Sequence, residues 1–229
     1  MYRMLRPVLL ACMALFLCIE WGPLNAERAR WGIASGDPFV PEIALTFDDG
    51  PREHGMQELM AALSPFGVQG TFFLVGKFAD RYASVTAALH AGGHAIENHS
   101  FTHPKLYTLW VEKIVRETER CNEVIEALGI RRPRFMRPPG GSWNLKVLNA
   151  MRRMDMRLGL WNINSADYTG KSAEDITALI LRKAAPGAIV LMHSGVPQTV
   201  SALPGIVHEL ERRGYRFVSV QDLWNCGAI

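Results

Sequence analysis

Short apolar runs alternate with segments of helical periodicity along most of this 229-residue chain. Seven of the runs have the composition of strands: residues 43–47, 71–75, 94–97, a short run at 135, 158–163, 188–192 and 216–220. Helical segments lie between them, the longest at 109–128. The alternation predicts an α/β fold on a largely parallel sheet, which is either a barrel or an open doubly wound sheet. The chain has no GxGxxG or Walker loop to favour the open, nucleotide-binding version.

Side chains capable of chemistry stand where the predicted strands end. In chain order they are Asp48, Asp49, His99, His103, Arg137, Asp167 and His193. The carboxyl ends of parallel strands share one face of an α/β fold, and that face is where active sites form. We therefore expect these side chains to lie on one rim.

His99 and His103 are spaced four residues apart. On a helical turn the two imidazoles would face the same way, which suits two nitrogen ligands on one divalent cation. An HxxxH pair alone is equally typical of a solvated or core pair. In zincin helices a Glu follows the first His and serves as base, but Ser100 stands there in this chain. A hydrolytic metal site would need its base from elsewhere.

Asp48 and Asp49 are the candidates for that base. Adjacent carboxylates repel each other unless a cation lies between them, and the Gly50-Pro51 turn can bring both to the rim. One would bind the metal while the other stays free. A plain surface turn is the alternative, and the histidines favour the site. The Asp-His-His set leaves positions for water, as catalytic zinc requires, but it also fits a non-haem iron oxygenase.

His193 is a candidate proton donor, and Asp167 is a candidate to orient it. The alternatives are a strand-end histidine with a structural hydrogen bond and a plain loop carboxylate. For Arg137 the alternative is a surface arginine ahead of Pro138-Pro139.

Five motifs resemble, in order, those of the polysaccharide deacetylases, the NodB-homology group or carbohydrate esterase family four. They are Thr46–Pro51, His99–Pro104, Arg137–Gly141, Asp167–Tyr168 and Leu191–His193. The resemblance covers about residues 43–223. It implies a distorted (β/α)7–8 barrel. It also implies a metal-dependent hydrolase that removes N-acetyl groups from N-acetylhexosamine-containing glycans of the peptidoglycan, chitin-oligomer or exopolysaccharide type.

The resemblance also implies roles for the rim residues. It makes Asp49, His99 and His103 the metal ligands, with zinc as the expected metal and other divalent transition metals as alternatives. It makes Asp48 the general base and Arg137 the residue that orients this base.

On the leaving-group side, the resemblance makes His193 the general acid, held by Asp167, and the backbone amide of Gly140 an oxyanion donor. The chain departs from the family at two motifs. Gly140 stands where Tyr or Phe is usual, and the fourth motif has Asn164 and Tyr168 in place of Asp and Trp. These changes bear on the substrate more than on the reaction. Two other functions stay open: a deformylase or hydrolase of another non-peptide amide, and a catalytically weak carbohydrate-binding protein.

Residues 1–26 have the pattern of a secretory signal. Arg3 and Arg6 precede an apolar run at 8–19, and small residues precede a cut after Ala26. The run is short for a membrane span, which needs about 20 residues, although an uncleaved anchor is the alternative. We expect an exported protein, periplasmic or secreted, whose residues 27–229 form one catalytic domain. Membrane contact is expected only if the segment stays uncleaved.

The net charge is +3, and the 25 basic and 22 acidic residues are mixed along the chain. Because there is no polybasic block, no nucleic-acid partner is expected, and no obligate protein partner is evident. Of the four cysteines, Cys12 and Cys18 would leave with the signal. Cys121 and Cys226 either pair in the exported protein or leave Cys121 as a buried thiol.

Overall fold

The computed structural model describes residues 31–226, and the centre of this part of the chain is a parallel sheet. Nine strands form in these residues: β1 Gly32–Ile33, β2 Glu42–Gly50, β3 Thr71–Leu74, β4 Ala95–Asn98, β5 Phe135–Met136, β6 Arg157–Gly159, β7 Ile163–Asn164, β8 Ala188–His193 and β9 Arg216–Phe217. Eight of them follow the order β1-β6-β5-β4-β3-β2-β8-β7, and β9 pairs with β2. Every pairing is parallel. The sheet curls into a partial barrel, which confirms the predicted distorted-barrel fold.

Helices pack around the outside of this sheet. In the described residues they are α1 Met56–Leu63, α2 Gly76–Arg81, α3 Ala83–Ala91, α4 Val111–Ala127, α5 Leu145–Arg153, α6 Ala173–Lys183, α7 Pro197–Arg212 and α8 Val220–Cys226. Ser172 caps α6, because its Oγ accepts from the Asp175 N–H at 3.1 Å. Asn144 caps α5 by accepting from the N–H groups of Lys146 and Val147 at 3.0 and 3.3 Å.

The predicted fifth strand, residues 158–163, is wrong as one strand, because the chain crosses the open seam of the barrel there. The Leu160 N–H donates to Ile33 on one side of the seam, at 2.7 Å. The Asn162 N–H donates to Ile189 on the other side, at 3.2 Å. The chain therefore forms β6 next to β1, leaves the sheet, and forms β7 next to β8.

The structure adds one strand to the predicted set and shortens another. Strand β1 lies ahead of the first predicted strand and pairs with β6. The predicted strand at 216–220 ends at Phe217, and Val220 begins α8 instead. Val220 and Leu223 pack against the strand residues that line the barrel interior, so α8 closes the lower end of the barrel.

Alternation along β2 separates the helix-facing core from the barrel interior. Ile43, Leu45 and Phe47 belong to the large core cluster under the helices. Ala44 lies in the interior cluster with Phe73, Phe135 and Ile189. Because side chains alternate along a strand, Thr46 and Asp48 follow Ala44 on the interior side. The interior is thus apolar below and polar at the carboxyl rim.

Within the described part of the chain, no helix is long and apolar enough to cross a membrane. The predicted signal segment, residues 1–26, lies outside it, and so does the side chain of Cys226. Cys121 is a free, buried thiol whose Sγ lies 3.5 Å from the Leu74 carbonyl oxygen. Burial raises the pKa of this thiol to about 12, which makes it inert.

Candidate active site

Arg137 is fully buried in the barrel interior and holds Asp48 in place. Its Nη1 donates to Asp48 Oδ1 and to Thr46 Oγ1, both at 2.7 Å. Its Nε and Nη2 donate to the carbonyl oxygens of Gly159 and Leu160, at 2.7 and 3.0 Å. A buried guanidinium with each nitrogen bonded is a fixed group, so the alternative of a surface arginine is wrong.

A bulge at the end of β2 turns Asp49 toward the same rim as Asp48. The register against β3 shifts between Asp48 and Gly50, and Asp49 has a left-handed backbone with φ of 68°. The Gly50-Pro51 peptide that follows is cis. Both carboxylates face His99, whose Nε2 lies 3.9 Å from Asp48 Oδ2 and 3.4 Å from Asp49 Oδ1.

His99 and His103 lie in a bent loop, so the expected helical turn is wrong. Ser100 and His103 both have left-handed backbone, with φ of 62° and 64°. Side chains hold the bend, because Asn98 Oδ1 accepts from the Ser100 N–H at 2.7 Å and Ser100 Oγ accepts from the His103 N–H at 3.1 Å. The loop still brings the two imidazole centroids to 5.0 Å from each other.

Asp49, His99 and His103 form a cluster whose donor atoms all lie within 4.8 Å of one another. Asp49 Oδ1 is 3.1 Å from His103 Nε2 and 3.4 Å from His99 Nε2. Burial opposes ionisation of Asp49, but its contacts with the His103 and His99 rings hold its pKa below the usual range. A carboxylate and two imidazoles converging in this way fit a divalent cation.

The hydrogen bond on the far side of His99 fixes which ring nitrogen is available. His99 Nδ1 lies 2.7 Å from the carbonyl oxygen of Arg137. Because a carbonyl only accepts, Nδ1 carries the proton, and the lone pair of Nε2 faces Asp49. A backbone carbonyl behind a ligating imidazole is the usual support of a metal ligand.

His193 is held by a buried carboxylate with four donors around it. Asp167 Oδ1 accepts from His193 Nδ1 at 2.8 Å and from the Tyr168 N–H at 3.0 Å. Its Oδ2 accepts from the His193 N–H at 2.7 Å and from Thr199 Oγ1 at 2.6 Å. Burial opposes ionisation of Asp167, but the bonds from His193 and Thr199 keep its pKa below the usual range.

The sheet register places this histidine beside Asp48. Asp48 on β2 and His193 on β8 are paired residues of adjacent strands. Burial lowers the pKa of His193, but the hydrogen bond and charge of Asp167 outweigh it, so the net pKa lies above the ordinary value. The site therefore places the Asp48 carboxylate and the His193 imidazole on neighbouring strands. Because its pKa is raised, His193 keeps its proton to higher pH than a free histidine. The cluster of Asp49, His99 and His103 lies next to them.

One side of the site is open where the sequence departs from the family motifs. Gly140 has a positive φ of 68°, and no atom lies within 4 Å of where its Cβ would stand. Gly141 lies so close to Trp161 that a Cβ would collide with the indole. Tyr168 is 59% exposed and meets His193 edge-on, with centroids 5.1 Å apart. Asn164 Nδ2 donates to the Tyr168 hydroxyl at 3.3 Å.

Sequence reasoning missed several supporting residues. Phe73 and Trp161 face the guanidinium of Arg137, with ring centroids 3.9 and 5.4 Å from its Cζ. Thr46 had a usable signal, because it is polar in an apolar strand and shares the face of Asp48. Thr199 had no usable signal, since nothing in the sequence places the first turn of α7 against Asp167.

The parallel sheet curls into a partial barrel, and its carboxyl rim carries a donor cluster that fits a cation beside a carboxylate and a histidine. These features define an α/β-barrel enzyme equipped for metal-assisted hydrolysis. Residues 36–159 match the family model described as polysaccharide deacetylase. The chain belongs to the polysaccharide deacetylase family.

Curated relatives carry names of two kinds. The chain is 30% identical over 209 residues to the peptidoglycan-N-acetylglucosamine deacetylase of Bacillus cereus, covering 90% of this chain and 76% of the relative. It is 32% identical over 190 residues to the chitooligosaccharide deacetylase of Azorhizobium caulinodans, covering 76% and 90%.

Solved structures are similar over most of the chain. The peptidoglycan N-acetylglucosamine deacetylase Bc1960 superposes with a TM-score of 0.84 at 28% identity, covering 90% of this chain and 98% of that one. A CE4-family pseudoenzyme from Bacillus anthracis superposes with a TM-score of 0.82 at 26% identity, covering 86% and 70%. Since a pseudoenzyme shares this fold, activity depends on the side chains of the site.

Proposed function

We propose that this protein is an exported, zinc-dependent deacetylase that removes N-acetyl groups from N-acetylhexosamine units of a glycan. The names of the relatives support this substrate class, since they act on peptidoglycan and chito-oligosaccharides. The observation that carries the proposal is the pairing of Asp48 with His193 across β2 and β8, next to the cluster of Asp49, His99 and His103. Amide hydrolysis needs a base for water and an acid for the amine, and this arrangement supplies both.

Asp48 is the proposed base. A divalent cation held by Asp49, His99 and His103 would polarise the amide carbonyl and lower the pKa of a water molecule to about 7. Arg137 occupies Asp48 Oδ1 at 2.7 Å, while Oδ2 faces the donor cluster. The oxygen on that side is positioned to accept a proton from the water. Arg137 also keeps the carboxylate from turning away.

His193 is the proposed acid. Asp167 accepts from Nδ1, so Nε2 carries the transferable proton when the ring is charged. An amine leaves poorly without a proton, so this donor is expected to act as the C–N bond breaks. The raised pKa of His193 keeps a larger charged fraction near neutral pH. The backbone N–H of Gly140 is the proposed hydrogen-bond donor to the oxyanion.

We also propose that the bound metal is zinc and that the protein is exported. Two imidazoles and one carboxylate with room for water form a donor set that zinc prefers in hydrolases, although other divalent transition metals also accept it. Export is supported by the signal-like pattern of residues 1–26.

The test is acetate release by the purified protein from chito-oligosaccharides, peptidoglycan and an acetylated exopolysaccharide, with and without a chelator. We expect release from at least one glycan and its loss with chelator. Asp48→Asn should lose turnover, and Asp80→Asn on the exposed face of α2 is the matched control. No acetate from any glycan, or undiminished release by Asp48→Asn, would overturn the proposal.

A further inference from the structure

Three large aromatic rings on two neighbouring loops are turned outward. Tyr107, Trp110 and Trp143 are 37%, 77% and 46% exposed. Single exposed aromatic residues are ordinary, but a group of them on adjoining loops marks a surface that binds something. We refer to these three residues as the aromatic platform.

The aromatic platform lies on the loops that also carry site residues. Tyr107 and Trp110 follow the loop of His103 and precede α4. Trp143 follows the turn of Gly140 and precedes α5. Both loops that carry the platform therefore start at the rim where the proposed reaction takes place.

Side-chain contacts join the two loops. Asn144 Nδ2 donates to the Tyr107 carbonyl oxygen at 3.0 Å. Lys146 Nζ lies 5.5 Å from the ring centroid of Trp110, a cation–π contact that restrains the indole. Trp110 nevertheless stays 77% exposed, so most of its ring surface faces solvent. The two loops are thus joined, and the Trp110 ring is restrained.

A pyranose ring suits such a surface. One face of the sugar presents C–H groups that pack on an aromatic ring, while its hydroxyl groups stay in water at the edge. Tyr and Trp offer this contact at a small entropic cost, because each side chain has two torsions to fix. The sugars next to the reacting residue in a glycan chain meet the rim from outside, where the platform lies.

From this placement on two joined loops we infer that Tyr107, Trp110 and Trp143 stack on pyranose rings neighbouring the reacting N-acetylhexosamine, so that the enzyme favours glycan chains over short fragments. The inference rests on the proposed function, since it names the part of the substrate that the rim would hold. Length preference is its measurable consequence. Each added sugar that reaches the platform should raise kcat/KM.

The experiment compares chitohexaose with chitobiose as substrates of the full chain. For the Trp110→Ala/Trp143→Ala double variant we expect the hexaose-to-biose ratio of kcat/KM to fall about tenfold, as the loss of two stacked contacts implies. Trp110→Phe/Trp143→Phe should keep most of the ratio, because it keeps flat rings. Phe39→Ala is the control, since Phe39 is 90% exposed ahead of β2, away from the carboxyl rim. It should leave the ratio unchanged.

Two results would overturn the platform. The first is an unchanged hexaose-to-biose ratio of kcat/KM in the double alanine variant. The second is an equal fall of kcat/KM on both substrates in a double variant whose melting temperature matches that of the unmodified protein. If the unmodified protein releases no acetate, the proposed function fails and the platform is tested by binding. Affinity electrophoresis in glycol chitin should then retard the unmodified protein but not the double variant. Equal mobility shifts, or none for either protein, would contradict the platform.

Discussion

Asp167→Asn tests the acid side of the site, because it removes a charge and keeps the shape. Four donors converge on the two oxygens of Asp167: the His193 ring, the His193 N–H, the Tyr168 N–H and the Thr199 hydroxyl. An asparagine has only one carbonyl oxygen. Whichever way its amide points, one of the two backbone N–H groups loses its acceptor.

The magnitude follows from that count. A fully buried N–H without a partner costs about 1–3 kcal/mol, and these two N–H groups are only partly buried, so the free energy of unfolding should fall by about 1 kcal/mol. The pKa of His193 is raised mainly by the Asp167 hydrogen bond and charge, against burial, and the variant removes the charge and leaves at most a weaker, neutral hydrogen bond. The charged fraction of His193 at neutral pH therefore falls. Loss of this acid should reduce kcat by about 10²- to 10⁴-fold.

The assay is a pH profile of acetate release, with urea unfolding alongside. A raised pKa of His193 sets the alkaline limb of kcat above pH 6.5, and Asp167→Asn should move that limb to lower pH. In the unmodified protein, the stability that His193 gains from Asp167 is present below its ordinary pKa and is lost as pH rises through the raised value. A kcat within threefold of the unmodified protein, with the alkaline limb unmoved, would refute the reasoning.

Three other predictions address the remaining groups. Asp48→Asn should keep one equivalent of zinc and lose about 10²- to 10⁴-fold in kcat, while His99→Ala should lose the metal. Metal analysis and an acetate-release assay check both variants. Full turnover in either variant would contradict the assigned roles. Arg137→Met leaves the Asp48 carboxylate buried without its partner and should lower the free energy of unfolding by about 3–5 kcal/mol, measured by urea unfolding. A loss under about 1 kcal/mol would show that the Arg137–Asp48 pair does not stabilise the fold. Burial raises the pKa of Glu97 to about 7 from 4.5, so its charged form weakens the fold as pH rises between these values. Glu97→Gln should therefore be the more stable protein at pH 8, by up to about 3 kcal/mol, and should lose that advantage at pH 4; equal urea midpoints at pH 8 would contradict the burial argument.

The architecture was predictable because apolar runs and helical periodicity report directly on burial. The parallel pairing and the approximate bounds of the longest helix follow from those patterns, whereas the choice of a barrel over an open sheet came from the family resemblance. The break at 160–162 did not follow, since an apolar run looks the same whether it continues a strand or crosses a seam. That difference depends on Ile33 and Ile189, which are distant in sequence.

The convergence on the rim was predictable in outline and not in its local geometry. Strand ends meet at one edge, so Asp48, Asp49, His99 and His103 were expected together, and the structure places them together. The helical turn expected for the histidines was wrong. Left-handed residues such as Ser100 depend on side-chain to backbone bonds that spacing alone does not reveal.

The most direct test of the account is a zinc titration of chelator-stripped protein, followed by acetate release from chito-oligosaccharides. The three donors lie within 4.8 Å of one another, which suits one cation. We predict that release is absent in stripped protein, rises in proportion to added zinc, and levels off at one equivalent per chain. Release by the stripped protein at the full rate, or none at any zinc level with every glycan tried, would contradict the central claim.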